Sequence, residues 1–221
     1  LSGLVGSEMC IRDSVDAVQA LAKIPTEKYL TERVDFATFS GHKFHGVRGV
    51  GFVFIKYGKK ITPLLTGGGQ ERDYRSTTEN MAGIAATAKA LRLSMEKLDI
   101  FTSKTGQMKA VIRQALRDYP DIFVFSDEED FAPHILTFGI KGVRGEVIVH
   151  AFEDYDIFIS TTSACSSKAG KPAGTLIAMG VDKDKAQSAV RLSLDLENDM
   201  SQVEQFLTKL KLIYNQTRKV R

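Results

Sequence analysis

A lysine stands between two histidines where a predicted strand ends, in the stretch VDFATFSGHKFHG at residues 34–46. The apolar run is followed by Ser40, Gly41, His42 and Lys43, so one turn offers several hydrogen-bond donors. Donors gathered in a turn suit a phosphate, and a lysine amine in the same turn can condense with a carbonyl. A lysine taken alone is more often a solvated side chain, so this interpretation depends on its neighbours.

Pyridoxal 5'-phosphate (PLP) matches both features, because its aldehyde bonds to a lysine and its phosphate needs an anion site. Its ring nitrogen must also be kept protonated by a carboxylate if the ring is to withdraw electrons. Asp16 in VDAVQA is a candidate for that carboxylate, and Gln19, expected one helical turn further on, is a candidate partner for the ring hydroxyl. These residues point to a PLP site around Lys43.

Cys165 lies in a second unusual stretch, ISTTSACSSKAGKPAG at residues 159–174. A free cysteine is more often a buried apolar filler. Here the neighbours are small, hydroxyl-bearing or charged, which disfavours burial, and Lys168 favours the thiolate, the nucleophilic form of the side chain. We therefore interpret Cys165 as a candidate nucleophile on a flexible loop.

The elements that must position these residues alternate between short apolar runs and amphipathic segments, which is typical of an α/β chain. Strands are predicted at residues 34–39, 49–57, 121–125, 134–138, 156–160 and 190–194. Helices are predicted at residues 79–98, 106–119, 145–153 and 200–218, with a short one ending at 179. Lys43 and Cys165 would then each follow a strand.

Composition argues against nucleic-acid binding, membrane association and a disulfide-stabilised fold. The chain has 221 residues, 43% hydrophobic and 26% charged, and a net charge of +3 without a basic block, so we expect no direct nucleic-acid partner. No apolar run approaches the roughly 20 residues that span a bilayer, and no secretory signal is visible, so we expect no membrane association and a cytoplasmic location. Cys10 and Cys165 are too few for a disulfide framework.

Five stretches in order closely resemble the cysteine desulfurases, a branch of the class V aminotransferase-like, fold-type I PLP enzymes: VDAVQ, SGHKFHGVRGVGF, GGGQERDYRSTTEN, STTSACSSK and AVRLSL. The resemblance implies an α/β fold in which residues 15–92 end a large PLP-binding domain. Residues 93–221 would form a smaller C-terminal domain with the cysteine loop. Residues 1–14 resemble translated adapter sequence, and we set them aside as non-native.

The resemblance implies a role for each matching residue at the cofactor. Lys43 would bond to PLP, Asp16 would pair with the ring nitrogen, and Gln19 would bind the ring oxygen. Ser40 and His42 would hold the phosphate.

Three more residues follow from the resemblance. Thr78 would reach the phosphate of the other subunit in a homodimer, and Arg191 would bind the substrate carboxylate. Cys165 would take up the substrate sulfur. Two simpler interpretations stay open at this point: Thr78 as the N-cap of the long helix, and Arg191 as a strand-edge charge.

The implied reaction converts L-cysteine to L-alanine, with the sulfur carried as a persulfide on Cys165. A sulfur-acceptor protein would then use it for iron–sulfur cluster, thiolated tRNA or thiamine synthesis, and no metal is expected. Alternatives are another class V PLP enzyme, such as an aminotransferase or selenocysteine lyase, and a non-catalytic truncated fragment. The family's first half has no counterpart here, so we expect the chain alone to be inactive.

Overall fold

The computed structural model describes residues 13–126, 131–161 and 174–219. The chain folds as the mixed α/β protein that the sequence predicts. It divides into two compact units, the first ending at Asp99 and the second beginning at Ile100. Among the described residues, no helix has the length and apolar character needed to cross a membrane.

The first unit is built on a three-stranded sheet in the order β1-β2-β3. β1 runs parallel to β2, and β3 runs antiparallel to β2 on its other side. One long helix follows the sheet. The elements are β1 (Ser14–Asp16), β2 (Phe36–Ser40), β3 (Gly51–Ile55) and α1 (Met81–Met95), with 3₁₀ helices at Thr26–Lys28 and Gly41–Phe44.

The core of the first unit lies on one face of β2. Ala37 and Phe39 are buried, whereas Thr38 between them is exposed, as the period-two alternation of a strand requires. Phe44, in the 3₁₀ helix after β2, is completely buried in the same core. On the opposite face of β2, Thr38 is exposed and Ser40 is half-buried, whereas Phe36 at the start of the strand is buried.

The second unit is an antiparallel sheet in the order β4-β5-β7-β6 with helices packed on it. Alternate residues of its central strands, among them Leu136, Phe138, Val190 and Leu192, face a core of helix side chains. The elements are α2 (Leu98–Leu116, which begins at the end of the first unit), β4 (Ile122–Val124), β5 (Ile135–Ile140), α3 (Gly145–Glu153), β6 (Ser160–Thr161), α4 (Gly174–Ala178), α5 (Lys183–Gln187), β7 (Ala189–Ser193) and α6 (Met200–Lys219).

Several predicted elements differ from the observed ones. The strand predicted at residues 156–160 is observed as β6, which overlaps it only at Ser160; Asp156, with a left-handed φ of 58°, belongs to the turn that ends α3, where the N–H of Ile157 donates to the carbonyl of Phe152. The helix predicted to run through residue 98 ends at Met95. The second predicted helix starts earlier than expected, since α2 runs through Gly106 without a break.

The first residues of the sheet belong to the segment, residues 1–14, that was expected to be non-native. Ser14 begins β1 and pairs with Phe36, and the backbone carbonyl of Asp13 accepts hydrogen bonds from the N–H groups of Asp35 and Phe36 (2.8 and 3.0 Å). Residues 1–12 lie outside the described residues. The domain assignment, with its boundary after residue 92, stays a prediction.

A buried lysine makes the stability of the second unit depend on alkaline pH. Lys109 on α2 is 6% exposed, its Nζ donates to the carbonyl of Ala132 (2.8 Å), and burial, with a contribution from Arg113, lowers its pKa to about 8. The unfolded chain keeps this proton to a higher pH, so it binds more protons between about pH 8 and 10.5. Folding stability contributed at this site should rise with pH in that window.

We therefore predict that the free energy of unfolding of Lys109→Met, relative to that of the parent chain, is highest at pH 7. This difference should fall between pH 8 and 10, because the parent chain becomes more stable there. Urea unfolding of both chains across this range measures the difference. Lys211→Met, on the exposed face of α6, controls for the loss of a lysine charge. A pH-independent difference for Lys109→Met would contradict the burial of a titrating amine.

Candidate functional site

The lysine turn, residues 40–46, directly follows β2. Ser40 ends the strand, and Lys43 lies half-buried in the one-turn 3₁₀ helix Gly41–Phe44, next to the exposed His42. The carbonyl of Gly41 accepts a hydrogen bond from the N–H of Gly46 (2.9 Å), while His45 takes a left-handed φ of 66°. The chain therefore reverses within a few residues and holds Lys43 beside the end of the strand.

Helix α1 fixes the lysine turn from one side. A Cβ added to Gly41 would lie 2.9 Å from Oγ1 of Thr87 and 3.1 Å from the carbonyl oxygen of Val50, so only glycine allows this approach. Ser94 Oγ donates to the carbonyl of Phe44 (3.1 Å). Sequence reasoning missed Thr87 and Ser94; the signal was their spacing, because residues seven apart lie on one face of a helix.

Gly41→Ala should strain the lysine turn. The new methyl group must displace either Thr87 or the backbone of Val50, so we expect a loss of about 1–3 kcal/mol in the free energy of unfolding. Urea unfolding with the double variant Gly41→Ala/Thr87→Ala, which should recover part of the loss, measures the effect. Gly106→Ala is the matched control, because its Cβ meets nothing closer than 3.9 Å and should stabilise α2 by up to about 1 kcal/mol.

Asp16 lies at the carboxyl end of β1, next to the carboxyl end of β2 from which the lysine turn begins; we call this side of the sheet the sheet edge. β1 and β2 are parallel, and Asp16 pairs with Thr38, two residues before Ser40. Residues in register share a face, so Asp16, Thr38 and Ser40 lie on one face of the sheet, and Ser40 is roughly 7 Å further along β2 than Thr38, the partner of Asp16. Asp16 is exposed, and its Oδ1 accepts from the N–H of Val18 (3.1 Å).

Gln19 is exposed in the turn that follows β1. The expectation that it lies one helical turn after Asp16 is wrong, because Asp16 ends a strand and the next residues form turns instead of a helix. The backbone reverses here, with Ala22 at a positive φ of 58°. Gln19 nevertheless follows the same end of β1 as Asp16.

Thr78 is exposed two residues before the N-cap of α1. Its interpretation as that N-cap is wrong, since Asn80 Oδ1 accepts from the N–H of Gly83 (3.0 Å) and the helix begins at Met81. The segment before Thr78 contains three consecutive non-glycine residues with positive φ, namely Glu71, Arg72 and Asp73 at 52°, 56° and 67°. Such backbone costs about 1–3 kcal/mol per residue and is found at functional loops.

Arg191 belongs to the second unit, at the middle of β7. Because β7 pairs with β5 on one side and β6 on the other, the interpretation of Arg191 as a strand-edge charge is wrong. Its side chain is half-buried, and its Nε is buried without a hydrogen-bond partner among the described residues. A guanidinium with an unpaired buried N–H is suited to bind a carboxylate.

Cys165 and Lys168 lie outside the described residues, as does Cys10. The preceding described residue, Thr161, ends β6, and the next one, Gly174, begins α4. Across the three described ranges, no cluster of three or more histidine, cysteine, aspartate or glutamate residues is arranged to hold a metal ion.

The residues of the lysine turn and its neighbours fit PLP. Asp16 ends β1, and Ser40, His42 and Lys43 lie at the end of β2 and in the turn after it, so a carboxylate, a hydroxyl, an imidazole and an amine follow the carboxyl ends of two neighbouring parallel strands. This donor set contains a partner for each reactive part of the cofactor: aldehyde, phosphate and ring nitrogen.

Comparison with known proteins gives one consistent match. The family model described as "Aminotransferase class-V" matches residues 11–206. A protein from Lactobacillus delbrueckii subsp. bulgaricus named "NifS/IcsS protein homolog" is 46% identical over 207 residues, covering 93% of this chain and 54% of its own length. "Cysteine desulfurase IscS" from Clostridium botulinum is 33% identical over 220 residues, covering 96% of this chain and 55% of its own.

A solved structure agrees with these sequence matches. The X-ray structure of a NifS-like protein from Rickettsia africae aligns with a TM-score of 0.80 at 28% identity, covering 92% of this chain and 54% of that one. The chain spans about half the length of the curated relatives it matches.

Proposed function

Since the chain belongs to the class-V aminotransferase family, we propose that it forms the lysine- and thiol-bearing part of a PLP-dependent cysteine desulfurase. Class-V aminotransferases and cysteine desulfurases depend on PLP, and relatives over most of this chain are named cysteine desulfurase. The observation that carries the proposal is the lysine turn, which brings Lys43 to the sheet edge that also holds Asp16 and Ser40.

Each candidate site residue named below from the first unit contacts a different part of the cofactor in this proposal. PLP, when bound, supplies an electron sink that makes the Cα proton of an amino acid acidic. Lys43 supplies the amine that bonds to it, and Asp16 keeps the ring nitrogen protonated. Ser40 and His42 bind the phosphate, and Gln19 binds the ring oxygen.

Arg191 binds the α-carboxylate of L-cysteine. Its planar fork of N–H groups matches the two carboxylate oxygens, and its buried Nε has no hydrogen-bond partner among the described residues. The position in a central strand limits the movement of the Arg191 backbone, so the bound amino acid keeps a defined orientation.

Cys165 takes up the substrate sulfur as a persulfide while L-alanine is released. It follows Thr161, the end of β6, by four residues. β6 is the immediate neighbour of β7, the strand that carries Arg191. The stretch that contains Cys165 therefore begins one strand away from the residue that we propose to bind the substrate.

We propose a homodimer in which Thr78 reaches the phosphate of the other subunit; strongly exposed apolar side chains in the first unit, such as Tyr57, Leu64 and Met81, suit burial against a second copy. The sulfur passes to an acceptor protein of iron–sulfur, thiolated tRNA or thiamine synthesis, and the cytoplasm remains the location expected from the sequence.

Product analysis tests the proposed function. The enzyme expressed from the complete reading frame, loaded with PLP, should release L-alanine and, with a thiol reductant, an equal amount of sulfide from L-cysteine. An aminotransferase would instead convert amino acids to keto acids, and a selenocysteine lyase would strongly prefer selenocysteine. Absence of any turnover would contradict the proposed function.

A further inference from the structure

Arg191 forms the middle of a row of three polar residues that crosses the sheet of the second unit. It pairs with Thr137 of β5 on one side and with Ser160 of β6 on the other. Side chains in register on neighbouring antiparallel strands point to the same face, with Cβ atoms about 4.5–5.5 Å apart. We call Thr137, Arg191 and Ser160 the polar row.

The polar row faces away from the main core. Val190 and Leu192, which flank Arg191 in β7, are buried in that core, so Arg191 projects from the opposite face. On this opposite face, Ala189 is buried with Leu176 of α4. The polar row therefore lies next to buried apolar residues on the same face of the sheet. All three members of the row are half-buried.

The backbone around Thr137 is held in place by hydrogen bonds. Its N–H donates to Ser126 Oγ (2.9 Å), and its carbonyl accepts from the N–H of Phe125 (2.8 Å). These bonds fix the backbone of Thr137 at the position opposite Arg191 in the sheet. A hydroxyl at a fixed position can donate one hydrogen bond without a large loss of conformational entropy.

The chemistry of the polar row matches a single carboxylate. The row has one positive charge and two hydroxyl groups but no acidic side chain, and the Nε of Arg191 lacks a partner among the described residues. A carboxylate has about four acceptor positions, which is more than one guanidinium fills in a bidentate pair. Two hydroxyl donors beside the guanidinium supply the remaining hydrogen bonds.

We propose that Thr137 and Ser160 are substrate-binding residues, each donating a hydrogen bond to the α-carboxylate that Arg191 binds. This inference rests on the proposed function for the identity of the substrate. Because hydroxyl groups that bind the carboxylate in both ground and transition states affect binding uniformly, they should change KM and leave kcat almost unchanged.

The test compares Thr137→Val and Ser160→Ala with variants that keep the hydroxyl, Thr137→Ser and Ser160→Thr. Each hydroxyl deletion should raise KM for L-cysteine about 5- to 30-fold, as expected for a hydrogen bond to a charged group, while the conservative variants stay near the parent value. Ser193→Ala is the matched control, since Ser193 is exposed on the same face of β7 but lies outside the row, opposite Ile135.

Equilibrium binding separates this inference from the proposed function. L-alanine should bind the PLP-loaded enzyme more weakly by the same factor in both deletion variants, whereas L-alaninol, which lacks the carboxylate, should be insensitive to them. Parent enzyme that binds L-alanine in this way but releases no alanine from L-cysteine contradicts the desulfurase proposal alone. An unchanged L-alanine affinity, or an equal loss for L-alaninol, would overturn the role of the polar row.

Discussion

Lys43→Ala should abolish covalent binding of PLP and lower the rate of alanine release by at least about 10³-fold, the scale seen when a covalent catalyst is removed. The variant loses the amine that the lysine turn holds at the sheet edge beside Asp16 and Ser40. The visible absorbance of bound PLP and the rate of L-alanine release measure the two effects.

Two further variants make the result for Lys43 specific. Lys43→Arg keeps the positive charge but offers no amine for the carbonyl, so it should behave like Lys43→Ala. Lys60→Ala removes an exposed lysine of the same unit and should change neither property. Normal alanine release by Lys43→Ala would show that another residue carries the cofactor.

Cys165→Ser should leave PLP binding intact while sulfur transfer falls by at least about 10²- to 10³-fold. A serine hydroxyl is protonated at neutral pH and is a far weaker nucleophile toward sulfur than a thiolate. Mass spectrometry of the protein after addition of L-cysteine should detect one added sulfur atom on the parent enzyme and none on the variant.

Cys10→Ser is the control for the second prediction, because Cys10 is the other cysteine of the chain and belongs to the segment interpreted as non-native. It should retain both the added sulfur and the rate of alanine release. If sulfur transfer persisted in Cys165→Ser but disappeared in Cys10→Ser, Cys10 and not Cys165 would be the nucleophile.

The elements that local patterns determine were predictable from the sequence. The strand before Lys43 was expected at residues 34–39 and lies at Phe36–Ser40, and the helix expected at residues 145–153 matches α3. In both segments the apolar residues recur with the spacing typical of the observed strand or helix, so this spacing was enough to predict the element. The α/β fold and the class V family were likewise predicted and are confirmed.

Features that depend on distant contacts were not predictable from the sequence. The close packing of Gly41 on Thr87 joins residues 46 positions apart, and the polar row joins three strands whose register no local pattern fixes. Left-handed backbone at non-glycine residues was missed too: Asp156 has a positive φ where a strand was predicted to begin, and Ala22 has one in the turns that stand where a helix was expected after Asp16. Left-handed backbone at such residues has no reliable sequence signal.

Reduction of the PLP-loaded enzyme with borohydride makes the bond between cofactor and lysine permanent, so peptide mass spectrometry can then identify the lysine that carries PLP. We expect a single modified peptide, with the pyridoxyl group on Lys43. A pyridoxyl group on any other lysine, or enzyme that turns over L-cysteine without a modified Lys43, would contradict it.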